Sequence, residues 1–215
     1  MAGRCKTAIL ISGSGTNLQA FIDAVDGGDL DLDLTVVFSN NPDAFGLERA
    51  ERAGIPTSCI QHSDYPDRES FDQAVIAELD RFEPDLLILA GFMRILSKKF
   101  VAHYAGKILN IHPALLPLYP GLNTHQRVLD AGDEWHGSTV HFVTDELDAG
   151  PRILQGRLLI MQGETAEELE KRVQAVEHQI YPQAASLVGS GKVKFKNGQS
   201  WVDGHVSKEP VVQTY

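Results

Sequence analysis

Two cysteines in 215 residues, no basic run and no long apolar stretch exclude several classes of protein at once. Cys5 and Cys59 give no basis for a disulfide framework, so a reducing cytoplasm is the default expectation. No apolar segment approaches the roughly 20 residues that cross a bilayer. The run Ala8 to Ile11 is also too short for a signal-peptide core. The formal net charge of −10 argues against binding long nucleic acid by phosphate neutralisation, while leaving room for a local anion site. There is no His-Glu-x-x-His and no paired-cysteine motif, so no metal site is expected. No internal repeat, low-complexity tract or linker divides the chain, which reads as one domain of ordinary size.

What is present is an alternation of short apolar runs and helical patterns. Thr7 to Ile11, Val36 to Phe38, Asp85 to Ala90 and Ile108 to Ile111 are rich in Val, Ile and Leu. The first three, nearly unbroken, fit strands buried on both faces of a parallel sheet. Between them, Leu18, Phe21, Ile22 and Val25, and then Phe71, Val75, Leu79 and Phe82, repeat at helical spacing. The pattern predicts a doubly wound, mostly parallel α/β fold. Each run is followed by a polar motif: Ser12 to Asn17, Ser39 to Asn41, Gly91 to Arg94, and His112-Pro113. Ligands bind at the carboxyl ends of strands in such sheets, so these motifs are expected to build one cleft.

The second half changes character. Ser138 to Val143 and Ile153 to Met161 read as strands, and Glu164 to Val188 as a long helix. Thr165 and Glu168 have the spacing of a capping box, and Pro182 should kink or end the helix. Lys192 to Phe195 and Gln199 to Val202, joined by Asn197-Gly198, predict a terminal hairpin. The last ten residues are expected to fray.

The segment Asn110-Ile111-His112-Pro113, followed 36 residues after His112 by Asp148, carries the chemistry. An amide, an imidazole and a carboxylate suffice to stabilise an oxyanion and move protons in acyl transfer. The acidic loop is expected to hold the imidazole from behind. Asp-Ala-Gly is also ordinary turn chemistry. Gly13 to Asn17 is a poor dinucleotide fingerprint, because Leu18 stands where a third glycine belongs and Phe38-Ser39-Asn40 brings no ribose-binding acid. It reads better as a glycine-rich turn into a helix N-terminus that binds a phosphate monoester. Glu177, beside the apolar stripe of its helix, reads from composition as a solvated flank residue. Neither Ser12 nor Cys59 has a base beside it in sequence to make it a nucleophile.

Several segments together resemble the phosphoribosylglycinamide formyltransferases. They are Ile11 to Ala20, Ala44 to Ala50, Leu89 to Leu96, Leu109 to Pro117, His136 to Gly150 and Glu177 to Pro182, within a likeness covering about residues 7 to 203. The resemblance implies transfer of a formyl group from 10-formyltetrahydrofolate to the amine of 5-phosphoribosylglycinamide in de novo purine biosynthesis. It implies Asn110, His112 and Asp148 as the catalytic trio. Gly15, Thr16, Asn17 and Glu177 then bind the ribonucleotide, reversing the solvated reading of Glu177. Arg68, Met93, Arg94, Ile95, Leu96 and Asn110 bind the folate. About residues 7 to 110 would form a nucleotide- and phosphate-binding half, and about 111 to 203 a catalytic and folate-binding half. A monomer or weak homodimer acting on small molecules is expected, with no nucleic acid, membrane or metal.

Methionyl-tRNA formyltransferases and formyltetrahydrofolate deformylases share the Asn-x-His-Pro core but carry added domains that this chain is expected to lack. A folate-hydrolysing deformylase remains the alternative enzyme, and a non-catalytic nucleotide-binding module the alternative class. Leu118 and Arg152 depart from the family pattern beside the site, with consequences for affinity rather than chemistry. The amine must lose a proton and N10 of the folate must gain one, a transfer that a water between His112 and Asp148 would carry.

Overall fold

The structure is a computed structural model that describes residues 3–215. The chain divides into two compact units, Met1–Leu109 and Asn110–Tyr215. The first contains β1 (Cys5–Ile11), α1 (Thr16–Asp26), β2 (Leu32–Ser39), α2 (Phe45–Arg52), β3 (Thr57–Cys59), α3 (Arg68–Asp80), β4 (Leu86–Leu89) and α4 (Lys98–His103). Its strands run in the order β3-β2-β1-β4, and β1 pairs in parallel with both β2 and β4. Ala8 to Ile11 are wholly buried, as are Val36 to Phe38 and Leu87 to Ile88. Both faces of these strands are covered, which is why their sequences run apolar instead of alternating. Each large aliphatic side chain so buried stabilises the fold by about 1.5–3 kcal/mol. Leu18, Phe21 and Ile22 of α1 and Phe71, Val75 and Leu79 of α3 are the buried stripes their spacing predicts. Phe82 falls beyond the end of α3.

Strand β5 (Ile108–His112) leads into the second unit. There follow α5 (Thr124–Ala131), β6 (Trp135–Phe142), β7 (Arg152–Leu159), α6 (Ala166–Gly189), β8 (Val193–Lys196), β9 (Gln199–Val202), β10 (His205–Ser207) and β11 (Val211–Thr214). The strand order in this unit is β5-β6-β7-β11, with β6 antiparallel and β11 parallel to β7. In all, eight strands form a mostly parallel α/β sheet, as the alternation of runs and helices predicts. β8, β9 and β10 make a separate antiparallel sheet. The Asn197-Gly198 turn has positive φ at both positions (54° and 74°), the hand that suits a two-residue hairpin.

One expectation needs correction and two need completing. The last ten residues do not fray: β11 pairs with Leu154 to Arg157 of β7, and the Tyr215 N–H donates to the Arg157 carbonyl at 2.9 Å. Pro182 does not end α6, which continues to Gly189. Proline removes one intrahelical donor, but Tyr181, Pro182, Ala184 and Ala185 are all buried, and their packing carries the helix onward. The hairpin gains a third strand, β10, through a second tight turn at Asp203-Gly204. The capping box at the start of α6 forms as expected, with Thr165 and Glu168 bonded reciprocally.

Candidate active site

In the first unit, α1 begins at Thr16 directly after Gly15, which adopts a left-handed conformation with φ 68°. A side chain at Gly15 would approach the Cα of Gly46 to 2.7 Å, so the turn requires glycine on steric grounds as well. The loop is braced by α2: the Gly46 N–H donates to the Gly13 carbonyl (3.0 Å), and Arg49 Nε donates to the Ser14 carbonyl (2.8 Å). Gly15 has no side chain with which to cap α1, a helix start suited to an external anion. Ser12 ties this loop to the end of β4. Its hydroxyl accepts from the Met93 N–H at 2.8 Å and donates to Asn40 Oδ1 at 2.5 Å. Met93 and Ile95 are 76% and 62% exposed, an unusual presentation of apolar surface. The Arg94 guanidinium lies 5.9 Å from the Phe71 ring centre, and Arg68 opens α3 behind its cap Asp67.

In the second unit, β5 delivers Asn110 and His112 two residues apart. The His112 imidazole is buried, and its Nε2 lies 2.9 Å from the Tyr119 carbonyl. A carbonyl can only accept, so Nε2 carries a hydrogen. Nδ1 is the nitrogen on the other side of the ring. It faces Asp148 Oδ2 at 3.4 Å, with both side chains only 7% exposed. The Tyr119 carbonyl and the Asp148 carboxylate thus face the two nitrogens of the ring. Asp148 has φ 53°, and its Oδ2 also accepts from the Gly121 N–H at 2.9 Å. Gly150 closes the acidic loop where any side chain would collide with the Phe142 carbonyl.

His141, in the middle of β6, is the site residue that sequence reasoning missed. Its Nδ1 donates to the Phe142 carbonyl at 2.9 Å, which leaves Nε2 to accept from the Asn110 amide at 3.2 Å. Burial pushes the His141 pKa down, partly opposed by the Phe142 carbonyl, so the ring is neutral and able to accept. One Asn110 N–H is thus committed to His141 and the amide orientation is set, leaving one further N–H on the same nitrogen. His141 Nε2 is also 4.0 Å from Asp148 Oδ1. The only sequence signal was a histidine inside a buried strand. Nearby, His136 and His125 bond ring to ring at 3.0 Å, and burial lowers both, His136 to about 4.

Glu177 is buried on α6, not solvated: the Ser138 hydroxyl lies 2.9 Å from its Oε1 and 2.7 Å from the His112 carbonyl. Ser138 thereby links Glu177 to the strand that carries His112. Arg152 reaches back to donate to the Leu116 carbonyl at 2.9 Å and also pairs with Glu209 at 3.2 Å. Among the described residues, no group of three or more His, Cys, Asp or Glu side chains is placed to hold a metal ion. No helix among them is long and apolar enough to cross a membrane.

Residues 5–185 match the family described as formyl transferase. The chain belongs to that family. The phosphoribosylglycinamide formyltransferase of Escherichia coli K12 is 52% identical to this formyl transferase over 196 residues, covering 91% of the chain and 92% of the relative. A solved phosphoribosylglycinamide formyltransferase from Coxiella burnetii is similar at a TM-score of 0.92 with 48% identity, covering 97% of this chain and 99% of that one. A formyltetrahydrofolate deformylase from Pseudomonas syringae pv. tomato shares the fold at a TM-score of 0.86, with 24% identity over 94% of this chain and 66% of that one.

Proposed function

We propose that Asn110, His112 and Asp148 carry out the chemistry of this formyl transferase. In this reading Gly15, Thr16, Asn17 and Glu177 hold the phosphoribosyl substrate, and Arg68, Met93, Arg94, Ile95, Leu96 and Asn110 hold the folate. The reaction passes a formyl group to the amine of phosphoribosylglycinamide, a step of purine biosynthesis. The donor, 10-formyltetrahydrofolate, supplies an activated formyl carbon on N10. Exposed Met93 and Ile95 beside Arg94 fit a flat substrate that is part aromatic and part anionic.

The work of the chain's own residues follows from their geometry. As the amine attacks, negative charge develops on the formyl oxygen. Asn110 donates to it through the N–H that His141 leaves available. Nδ1 of His112 accepts the proton that the attacking nitrogen releases, and the resulting imidazolium stabilises the same charge, with Asp148 as its counter-ion. The attacking nitrogen gives up one proton and the leaving nitrogen takes one, so the relay through His112 and Asp148 returns to its starting state. No covalent enzyme intermediate is formed. Gly15 to Asn17 receive the phosphate at the start of α1, where helix-terminal N–H groups and the adjacent Arg49 favour an anion. Two small molecules are the only partners this scheme requires, and a monomer or weak homodimer suffices.

The observation that carries the reading is the imidazole of His112, fixed at Nε2 by Tyr119 and faced at Nδ1 by Asp148. The test is a spectrophotometric assay with 10-formyl-dideazafolate, run with and without phosphoribosylglycinamide. Formylated ribonucleotide forming in step with loss of the folate formyl group is the expected result. Formate release at the same rate without the ribonucleotide would assign the chain to hydrolysis instead.

A further inference from the structure

We propose that Tyr119 is a positioning residue for His112, and that Asp133 and Arg127 act through it. The carbonyl that fixes the ring belongs to a residue in an unfavourable backbone conformation. Tyr119 has φ 54°, a region that bulky side chains rarely adopt. Such a conformation persists only where its surroundings over-determine it. Here they do so from two sides. The Tyr119 hydroxyl donates to Asp133 Oδ2 at 2.6 Å, just past the end of α5. The Arg127 guanidinium, on α5 itself, lies 5.3 Å from the centre of the Tyr119 ring. Arg127 Nη1 also donates to the carbonyls of Pro120 (2.7 Å) and Leu122 (3.3 Å). Arginine and aspartate therefore grip the ring and the chain that follows it, and the carbonyl between them is turned onto His112 Nε2.

The consequence is a choice of tautomer. With the carbonyl in place, the neutral ring keeps its hydrogen on Nε2 and presents Nδ1 as the working atom. Without the grip, Tyr119 relaxes toward negative φ and its carbonyl swings away. The neutral ring is then free to place its hydrogen on Nδ1, donating to Asp148 Oδ2, and the proton acceptor is lost from the working side. Asp133 and Arg127 touch no reacting atom. Their effect passes entirely through the main chain of Tyr119.

The proposal rests on His112 as the proton-transfer group, and the test separates the two. Tyr119→Phe removes the hydroxyl, with Asp133→Ala and Asp133→Asn as companions, because Asn retains an acceptor for the Tyr119 hydroxyl. Steady-state kinetics are measured together with the ring-nitrogen NMR shifts of His112, which report the tautomer without reference to activity. In Tyr119→Phe and Asp133→Ala, kcat should fall by about tenfold, a typical consequence of loosening a catalytic group. Both KM values should stay within about twofold. The Nε2–H signal should weaken, and Asp133→Asn should recover most of kcat. Unchanged nitrogen shifts in Tyr119→Phe, or an Asp133→Asn variant as impaired as Asp133→Ala, would overturn the proposal. A tautomer change without loss of kcat would leave the grip in place and instead contradict the role of His112 in proton transfer.

Discussion

Asp148 makes its closer contact with Gly121, whose N–H donates to Oδ2 at 2.9 Å, while the His112 ring nitrogen lies farther off at 3.4 Å. Charge-assisted hydrogen bonds usually run about 2.7–2.9 Å. The carboxylate is therefore anchored first by the main chain and serves the imidazole as a nearby charge.

Asp148→Asn tests that division of labour. Asn still offers an oxygen to Gly121 but no charge to His112. If the two side chains act as one unit, as proposed, the acyl-transfer rate should fall, and the loss should be much less than additive with that of His112→Ala. Single-turnover rates of the two single variants and the double variant supply the comparison. Additive losses would show that Asp148 works elsewhere.

The α1 loop makes a prediction about competition. If Gly15 to Asn17 hold the ribonucleotide's phosphate, as proposed, inorganic phosphate or sulfate should compete with phosphoribosylglycinamide and not with the folate. Thr16→Pro removes an N–H at the helix start and should raise KM for the ribonucleotide. Inhibition patterns against each substrate decide the matter. Competition against folate alone would reassign the loop.

His136 sets an acid limit on stability. Burial holds its pKa at about 4 in the folded chain, against an ordinary 6.5. The unfolded chain binds the extra proton between those values, so the contribution of neutral His136 is complete above pH 6.5 and is lost as pH falls toward 4. At its limit the loss is about 3 kcal/mol. His125 is lowered in the same direction and adds to it. Urea unfolding at pH 7.5 and pH 5 should show a drop in the parent that is reduced in His136→Leu. An equal drop in both would place the acid sensitivity in other groups.

Much of this was legible in the sequence, and the exceptions share a physical cause. β1, β2 and β4 were readable because burial on both faces leaves nearly unbroken apolar runs at their C-terminal ends, and β5 because Ile108, Leu109 and Ile111 surround Asn110. β11 was not, because Val211 and Val212 are 57% and 48% exposed and the strand owes its existence to main-chain pairing with β7. The short β3, α2, α4 and α5 carry too few residues for a period to show. At the site, the spacing of Asn110 and His112 on one strand made both candidates. Tyr119 escaped notice because it acts through a carbonyl, which every residue possesses. His141 escaped because its role depends on a neighbour 31 positions away. Arg152, noted only as a departure from the family, proves to hold the Leu116 carbonyl in the segment that leads to Tyr119.

The most direct test of the mechanism is the turnover of His112→Ala with both natural substrates at saturation. A residue whose Nδ1 moves the proton and stabilises the developing charge should cost roughly 10²-fold or more in kcat when removed, with far smaller changes in either KM. A variant that keeps more than half of the parental kcat would contradict the assignment of His112, and with it the roles of Asp148 and Tyr119.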